Sequence, residues 1–214
     1  MRKITCILTT LALLLSAACD GGNSVAKEDP VPENPATPEE PGMEQPEIVA
    51  AKTLIVYFSW SGHTRTVAGI IKDITGSDMV EIEVEEPYSS VYNEVTALAR
   101  RELDNDIRPA LRTRVDNMDK YDTLIVGTPI WSSRLAPPVK SFLAGYNLSG
   151  KKILPFCTHG GSGTAQSANN IKTICPDSEI LQPLAVYGSQ ADDACQAVEQ
   201  WLRAAGFSLS TQSE

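Results

Sequence analysis

Short apolar runs alternate with helix-period stripes from Leu54 to Ala205. Leu54-Ile55-Val56-Tyr57-Phe58 is continuously apolar, as a strand buried on both faces requires. Val67, Ile70, Ile71 and Ile74 then recur on one helical face, and Gly76 is placed to close that helix. Val80, Ile82 and Val84 alternate with Glu81, Glu83 and Glu85, which predicts an edge strand with one charged face. A longer connection after Pro87 carries a helical stripe at Val95, Leu98, Ala99 and Leu103. Thr123 to Val126 predicts the third strand, and Val139, Phe142 and Leu143 a helix behind it. Ile153 to Cys157 predicts the fourth strand, followed by a helix bearing Ala165, Ala168, Ile171 and Ile174. Leu184 to Tyr187 predicts the last strand, and Ala194, Val198, Trp201, Leu202 and Ala205 the last helix.

Five strand–helix units in this order predict an α/β fold, a parallel sheet covered by helices on both faces. Right-handed crossovers leave few topologies for it. In such sheets ligands bind outside the carboxyl ends of the strands, near the switch point. The loops after the first, third and fourth strands are therefore the candidate site.

The pattern covers only part of the chain. Arg2 and Lys3 precede an apolar stretch from Ile4 to Leu15 and then Ser16-Ala17-Ala18-Cys19. The stretch is too short for a stable span, and its layout is that of a cleaved export signal. Small residues just before Cys19 resemble a bacterial lipobox, in which that cysteine becomes the lipid-modified first residue of the mature protein. The alternative is an ordinary secretory signal with a chance cysteine. Residues 20–51 are rich in Pro and Glu and lack apolar periodicity, which predicts a disordered tether of the kind a lipid-anchored domain needs. Residues 52–207 form one domain large enough for its own core, and 208–214 a tail.

Charge and cysteine usage narrow the classes. The net charge of −9 argues against nucleic acid as a partner. It suits either docking to basic partners or a merely solvated surface. Cys157, Cys175 and Cys195 remain after the signal, too few and too odd a number for a disulfide framework. Cys157 ends an apolar strand and reads as a small buried hydrophobe, while a Cys175–Cys195 bridge is left open. The two histidines, His63 and His159, belong to no metal-ligand spacing, so no metal is expected.

The first loop, Ser59-Trp60-Ser61-Gly62-His63-Thr64, combines three hydroxyls, a glycine and a helix start. Free N–H groups and the helix dipole favour a phosphate there. No lysine follows the glycine as in a triphosphate loop, and no G-x-G-x-x-G is present. The alternative is a helix N-cap with a polar turn. The motif resembles the phosphate loop of flavodoxins, and the wider match includes Gly127-Thr128-Pro129-Ile130-Trp131 and Pro155 through Gly163, in order across the domain. The flavodoxin-like family implies a three-layer α/β/α sandwich with a five-stranded parallel sheet of order 2-1-3-4-5, and FMN as cofactor. His63 stands where the family more often has Asn.

By that resemblance, Thr128, Pro129, Ile130 and Trp131 cover one side of the flavin ring, with Trp131 stacking on it; the alternative for Trp131 is the core. Arg134 either approaches the ring or is solvated. The third loop supplies Thr158, His159, Gly160, Gly161 and Gly163, whose glycines let the backbone come close. No aromatic residue lies between His159 and Gly163, which implies that one flavin face stays open. His159 is a candidate contact or proton donor, against the alternative of a backbone-bonded loop histidine. Arg100, Arg101, Arg108, Arg112 and Arg114 form a local basic cluster, read as mixed surface because Glu102, Asp104 and Asp106 intervene.

Three functions fit: an electron carrier, an FMN-dependent reductase (of quinones, for example) and a non-redox module on the same fold. Export separates the domain from cytoplasmic nicotinamide cofactors. A redox partner protein or a membrane electron donor is then the expected source of electrons, which puts the carrier first.

Overall fold

The computed structural model describes residues 52–209. The signal, Cys19 and the tether lie outside them, as do residues 210–214 of the tail. Among the described residues no helix is long and apolar enough to cross a membrane.

β1 (Thr53–Tyr57) lies between β2 (Asp78–Glu81) and β3 (Thr123–Trp131), parallel to both. β5 (Lys152–His159) pairs parallel with β3 on the far side. Beyond it stand β6 (Glu179–Ile180) and β7 (Leu184–Tyr187), each parallel to a different stretch of β5. The short β4 (Arg134–Leu135) folds back antiparallel on the end of β3. Among the described residues the sheet thus has seven strands where five were expected. The expected parallel order still holds once β6 and β7 are taken as one interrupted strand. The interruption falls at Gln182-Pro183, where proline supplies no N–H for the ladder.

Strand alternation divides the core into two. Ile55, Tyr57, Ile125 and Phe156 pack under α1 (His63–Thr75) and α5 (Cys195–Ala204), chiefly on Val67, Ile71, Val198 and Leu202. Leu54, Val56, Leu124 and Ile153 face α3 (Pro137–Ala144) and α4 (Ser167–Ile174), meeting Val139, Phe142 and Ile171. The result is the three-layer sandwich that the apolar runs imply. Gly76 ends α1 in the left-handed conformation, its N–H donating to the Lys72 carbonyl at 2.7 Å.

One expectation is corrected, and one open alternative is closed. Ala165 is exposed and precedes α4 rather than lying on its buried face; the helix begins at Ser167, whose hydroxyl donates back to the Thr164 carbonyl. Cys175 carries a free, buried thiol, so Cys175 and Cys195 are not bridged. Cys157 is likewise free and buried, and burial pushes its thiol pKa up to about 12.

Candidate functional site

A cleft of about 470 Å³ opens at the carboxyl end of the sheet, within the range of roughly 300–1,000 Å³ usual for small-molecule sites. Trp60, Ser61 and His63 of the first loop line it. Gly62, at φ 96°, turns the chain from β1 into α1 and brings no side-chain cap. The first turn of α1 also lacks an acidic residue. The N–H groups ahead of Arg65 and the positive dipole end therefore keep their capacity for an anion. Ser59 stands behind the loop, its hydroxyl accepting the Arg65 N–H at 3.2 Å. Thr64 is buried, and its hydroxyl bonds Thr158 at 2.8 Å, tying the first loop to the end of β5.

From the second loop Pro129, Ile130 and Trp131 reach the cleft. Phe58 and Tyr88 meet Trp131 edge-on, with ring centroids 5.5 and 5.2 Å away. Tyr88 is held in turn by donating to Glu102 at 2.6 Å. Burial is the main influence on the Glu102 carboxyl and raises its pKa, opposed by the Tyr88 bond and the Arg101 charge. The turn joining β3 to β4 puts Ser132 and Ser133 at φ 47° and 59°, the positive pair a tight hairpin demands. Thr128 is fully buried, donating to the Pro129 carbonyl and accepting from the Ala136 N–H, and so shapes the loop from behind. Arg134 binds the Leu103 carbonyl and Asp104 at the end of α2 (Tyr92–Asp104). It caps that helix and does not line the cleft.

Thr158, His159 and Gly160 bring the third loop to the cleft, whereas Gly161 and Gly163 do not line it. The Gly161 N–H donates to His159 Nδ1 at 3.0 Å, leaving Nε2 as the donor nitrogen of the neutral ring. Gly161, at φ 141°, lies so near Tyr187 that an added Cβ would come within 3.1 Å of its hydroxyl. The rings of His159 and Tyr187 are 4.7 Å apart. Tyr187, Gly188 and Ser189, from the end of β7, form a further wall that the sequence analysis missed. Tyr187 is thus an aromatic beside the third loop although none lies within it. Position at the carboxyl end of the last strand was the available signal. Also missed was the α2 wall, Tyr92, Val95, Thr96 and Ala99. Among the described residues no Lys, Arg, Asp or Glu lines the cleft, and no group of three His, Cys, Asp or Glu could hold a metal ion.

Of the arginine cluster, Arg108 pairs with Asp106 and Arg112 with Glu83, both at the exposed surface. Such pairs contribute little to stability.

A doubly wound parallel sheet, with hydroxyl-rich and aromatic loops meeting at its carboxyl end, defines a mononucleotide-binding class of α/β protein. The chain belongs to the flavodoxin family, whose sequence pattern matches residues 52–204. It is similar to a proposed flavoprotein of Bacteroides eggerthii DSM 20697, with 28% identity, 72% of this chain and 97% of that chain covered, and a TM-score of 0.63. It is also similar to a flavoprotein of Lactobacillus acidophilus NCFM solved in complex with FMN, with 25% identity, 67% and 98% covered, and a TM-score of 0.56. Over 125 residues it is 30% identical to an NAD(P)H dehydrogenase (quinone) of Acidovorax ebreus, covering 53% of this chain and 61% of that relative. The match therefore spans less than two thirds of that relative's length.

Proposed function

We propose that the domain binds FMN and transfers electrons between a donor and an acceptor, as an electron-transfer flavoprotein. One observation carries this reading. The free start of α1, the tryptophan-bearing second loop and the glycine-rich third loop converge on a single cleft. The donor set fits the cofactor: N–H groups and the Ser61 hydroxyl at the helix start suit its phosphate, and Trp60 and Trp131 suit its planar ring. FMN, when bound, takes up and releases electrons, and the protein binds and orients it. The Thr64–Thr158 bond keeps the phosphate and ring sides of the cleft in register. The FMN-bound Lactobacillus structure supports the assignment.

The test is the absorbance spectrum of the purified full chain after adding FMN and desalting. Wild type is expected to retain flavin absorbance and Ser61→Trp to lose it, since Ser61 is an exposed lining residue whose change leaves the fold intact. A folded wild-type chain that retains no flavin would sink the proposal and favour a non-redox module.

A second reading is an FMN-dependent reductase of small molecules, favoured by the openness of the cleft beside exposed Tyr92 and Tyr187. The likeness to a quinone-linked NAD(P)H dehydrogenase supports it in part. NAD(P)H consumption with a soluble quinone, by the purified chain alone, distinguishes the two; no turnover leaves the carrier.

The lipobox-like Cys19 adds a location to the proposal: lipid-anchored, outside the cytoplasm, and served by a protein or membrane electron donor. The wild-type chain is expected to incorporate labelled fatty acid and sediment with membranes. Cys19→Ser is expected to do neither, and unchanged fractionation of that variant would refute the anchor.

A further inference from the structure

The two tryptophans assigned to the FMN ring come from different loops, yet both lean on two consecutive residues of the β2–α2 connection. Trp60 donates its indole N–H to the Ser89 carbonyl at 2.9 Å. Trp131 has the Tyr88 ring 5.2 Å away and nearly perpendicular, at 84°. Phe58 closes the group, perpendicular to Trp131 at 5.5 Å and tilted against Tyr88 at 5.8 Å. Tyr88 and Ser89 lie in irregular chain, outside any strand ladder, so the backbone there does not by itself fix the Tyr88 ring. Their anchors are on α2: Tyr88 donates to Glu102 at 2.6 Å, and Ser89 donates to Glu94 at 2.5 Å. The two anchors are unequal. Glu94 is exposed, and its bond competes with water. Glu102 is only 6% exposed. A carboxyl buried there costs more than an apolar side chain of similar size. The half-buried Tyr88 hydroxyl could be satisfied by water alone, so what the short bond to Glu102 adds is a fixed direction for the ring.

We propose that Glu102 is a positioning residue for the cofactor: by holding Tyr88, and with it the adjoining Ser89, it keeps both Trp131 and Trp60 where they receive the FMN ring. Glu102 does not itself line the cleft and acts through the two residues that do lean on its partner. Two rings perpendicular to the indole of Trp131 hold its plane, and one of them is only as fixed as its hydroxyl. Side chains locked before the ligand arrives do not have to be ordered on binding, which raises affinity without any new contact. The inference rests on the FMN reading and adds to it the group that sets the ring side of the site.

The test uses three variants of the full chain. Glu102→Leu removes the acceptor and suits the apolar surroundings, Tyr88→Phe removes the donor and keeps the ring, and Glu102→Gln keeps an oxygen that can accept the bond. The first readout is the set of indole N–H signals in proton–nitrogen correlation spectra of the flavin-free chain, one for each of the three tryptophans, assigned by Trp→Phe replacements. Glu102→Leu and Tyr88→Phe are expected to move the Trp131 and Trp60 signals and to leave that of Trp201 in place, and Glu102→Gln to restore the wild-type positions. The second readout is the FMN dissociation constant, expected to rise at least about threefold in Glu102→Leu and Tyr88→Phe and to return towards wild type in Glu102→Gln. The role is overturned if Tyr88→Phe leaves both signals unmoved, if Glu102→Gln moves them as far as Glu102→Leu does, or if the signals move while FMN affinity does not. Should Glu102→Leu fail to fold, Tyr88→Phe and Glu102→Gln decide on the same criteria, with Tyr88→Phe as the reference. A wild-type chain that binds no FMN removes the cofactor reading alone. The spectra of the flavin-free chain then decide whether Glu102 holds the two tryptophans.

Discussion

Gly127→Ala is expected to destabilise the domain by about 3 kcal/mol or more, at or above the upper end of overpacking costs. Gly127 lies in the middle of β3, level with Tyr57 on β1 and Phe156 on β5. A Cβ there would stand 2.2 Å from Phe156 Cζ and 2.7 Å from Tyr57 Cβ. Tyr57 Cβ is fixed to the β1 backbone and cannot withdraw without opening the ladder. The Phe156 ring is fully buried, with Trp201 edge-on at 6.4 Å, so its retreat disturbs the α5 side of the core. For a domain of this size the loss corresponds to a fall in melting temperature of roughly 6–12 °C. Thermal unfolding followed by circular dichroism measures it. Phe156→Leu shortens the clashing side chain, so Gly127→Ala should cost less in that background than alone. A melting temperature for Gly127→Ala within about 2 °C of wild type, less than 1 kcal/mol, would contradict the packing described.

The second large effect is expected at the bond between Thr64 and Thr158. Both hydroxyls are buried, and each is the other's partner. Thr64→Val keeps the shape but leaves the Thr158 hydroxyl buried without a partner, which costs about 1–3 kcal/mol. Thr158→Val has the mirror effect. The double variant removes both polar groups and should recover much of the loss, a coupling that chemical denaturation of the four proteins can measure. The same bond joins the first loop to the third, so each single variant should also weaken FMN retention more than its stability loss alone implies. Additive single costs would show that the hydroxyls do not depend on one another. Unchanged FMN affinity would show that the loops hold their places without the bond.

The apolar runs of β1, β3 and β5 were readable because strands buried on both faces have no polar positions to spare. The stripe Val67, Ile70 and Ile71 and the closing Gly76 likewise marked α1 to its end. The first loop was legible as a local motif, since its residues are consecutive and the helix start follows at once. The short β6 was not legible: the apolar run marks the last strand only at Leu184–Tyr187, and a two-residue pairing at Glu179–Ile180, before Pro183, carries too little pattern to read.

Roles that depend on distant neighbours were not legible. Thr64 and Thr158, 94 residues apart, read as two loop hydroxyls but are a single buried bond. Thr128 read as a cleft residue and Arg134 as either a neighbour of the ring or solvated, yet the first is bonded to backbone and the second caps α2. Tyr187 looked like the end of the last strand, although folding brings its ring onto His159. The face of α2 looked like ordinary helix burial until the sheet placed it across from the loops. Periodicity and turn chemistry are local, so the sequence by itself determined the layers, the strand ends and the loop with the phosphate-binding pattern. Which hydroxyls are already bonded, which aromatic rings meet and which helix closes the cleft depend on contacts between residues far apart in the chain, and only the packed sheet with its crossing helices decided them.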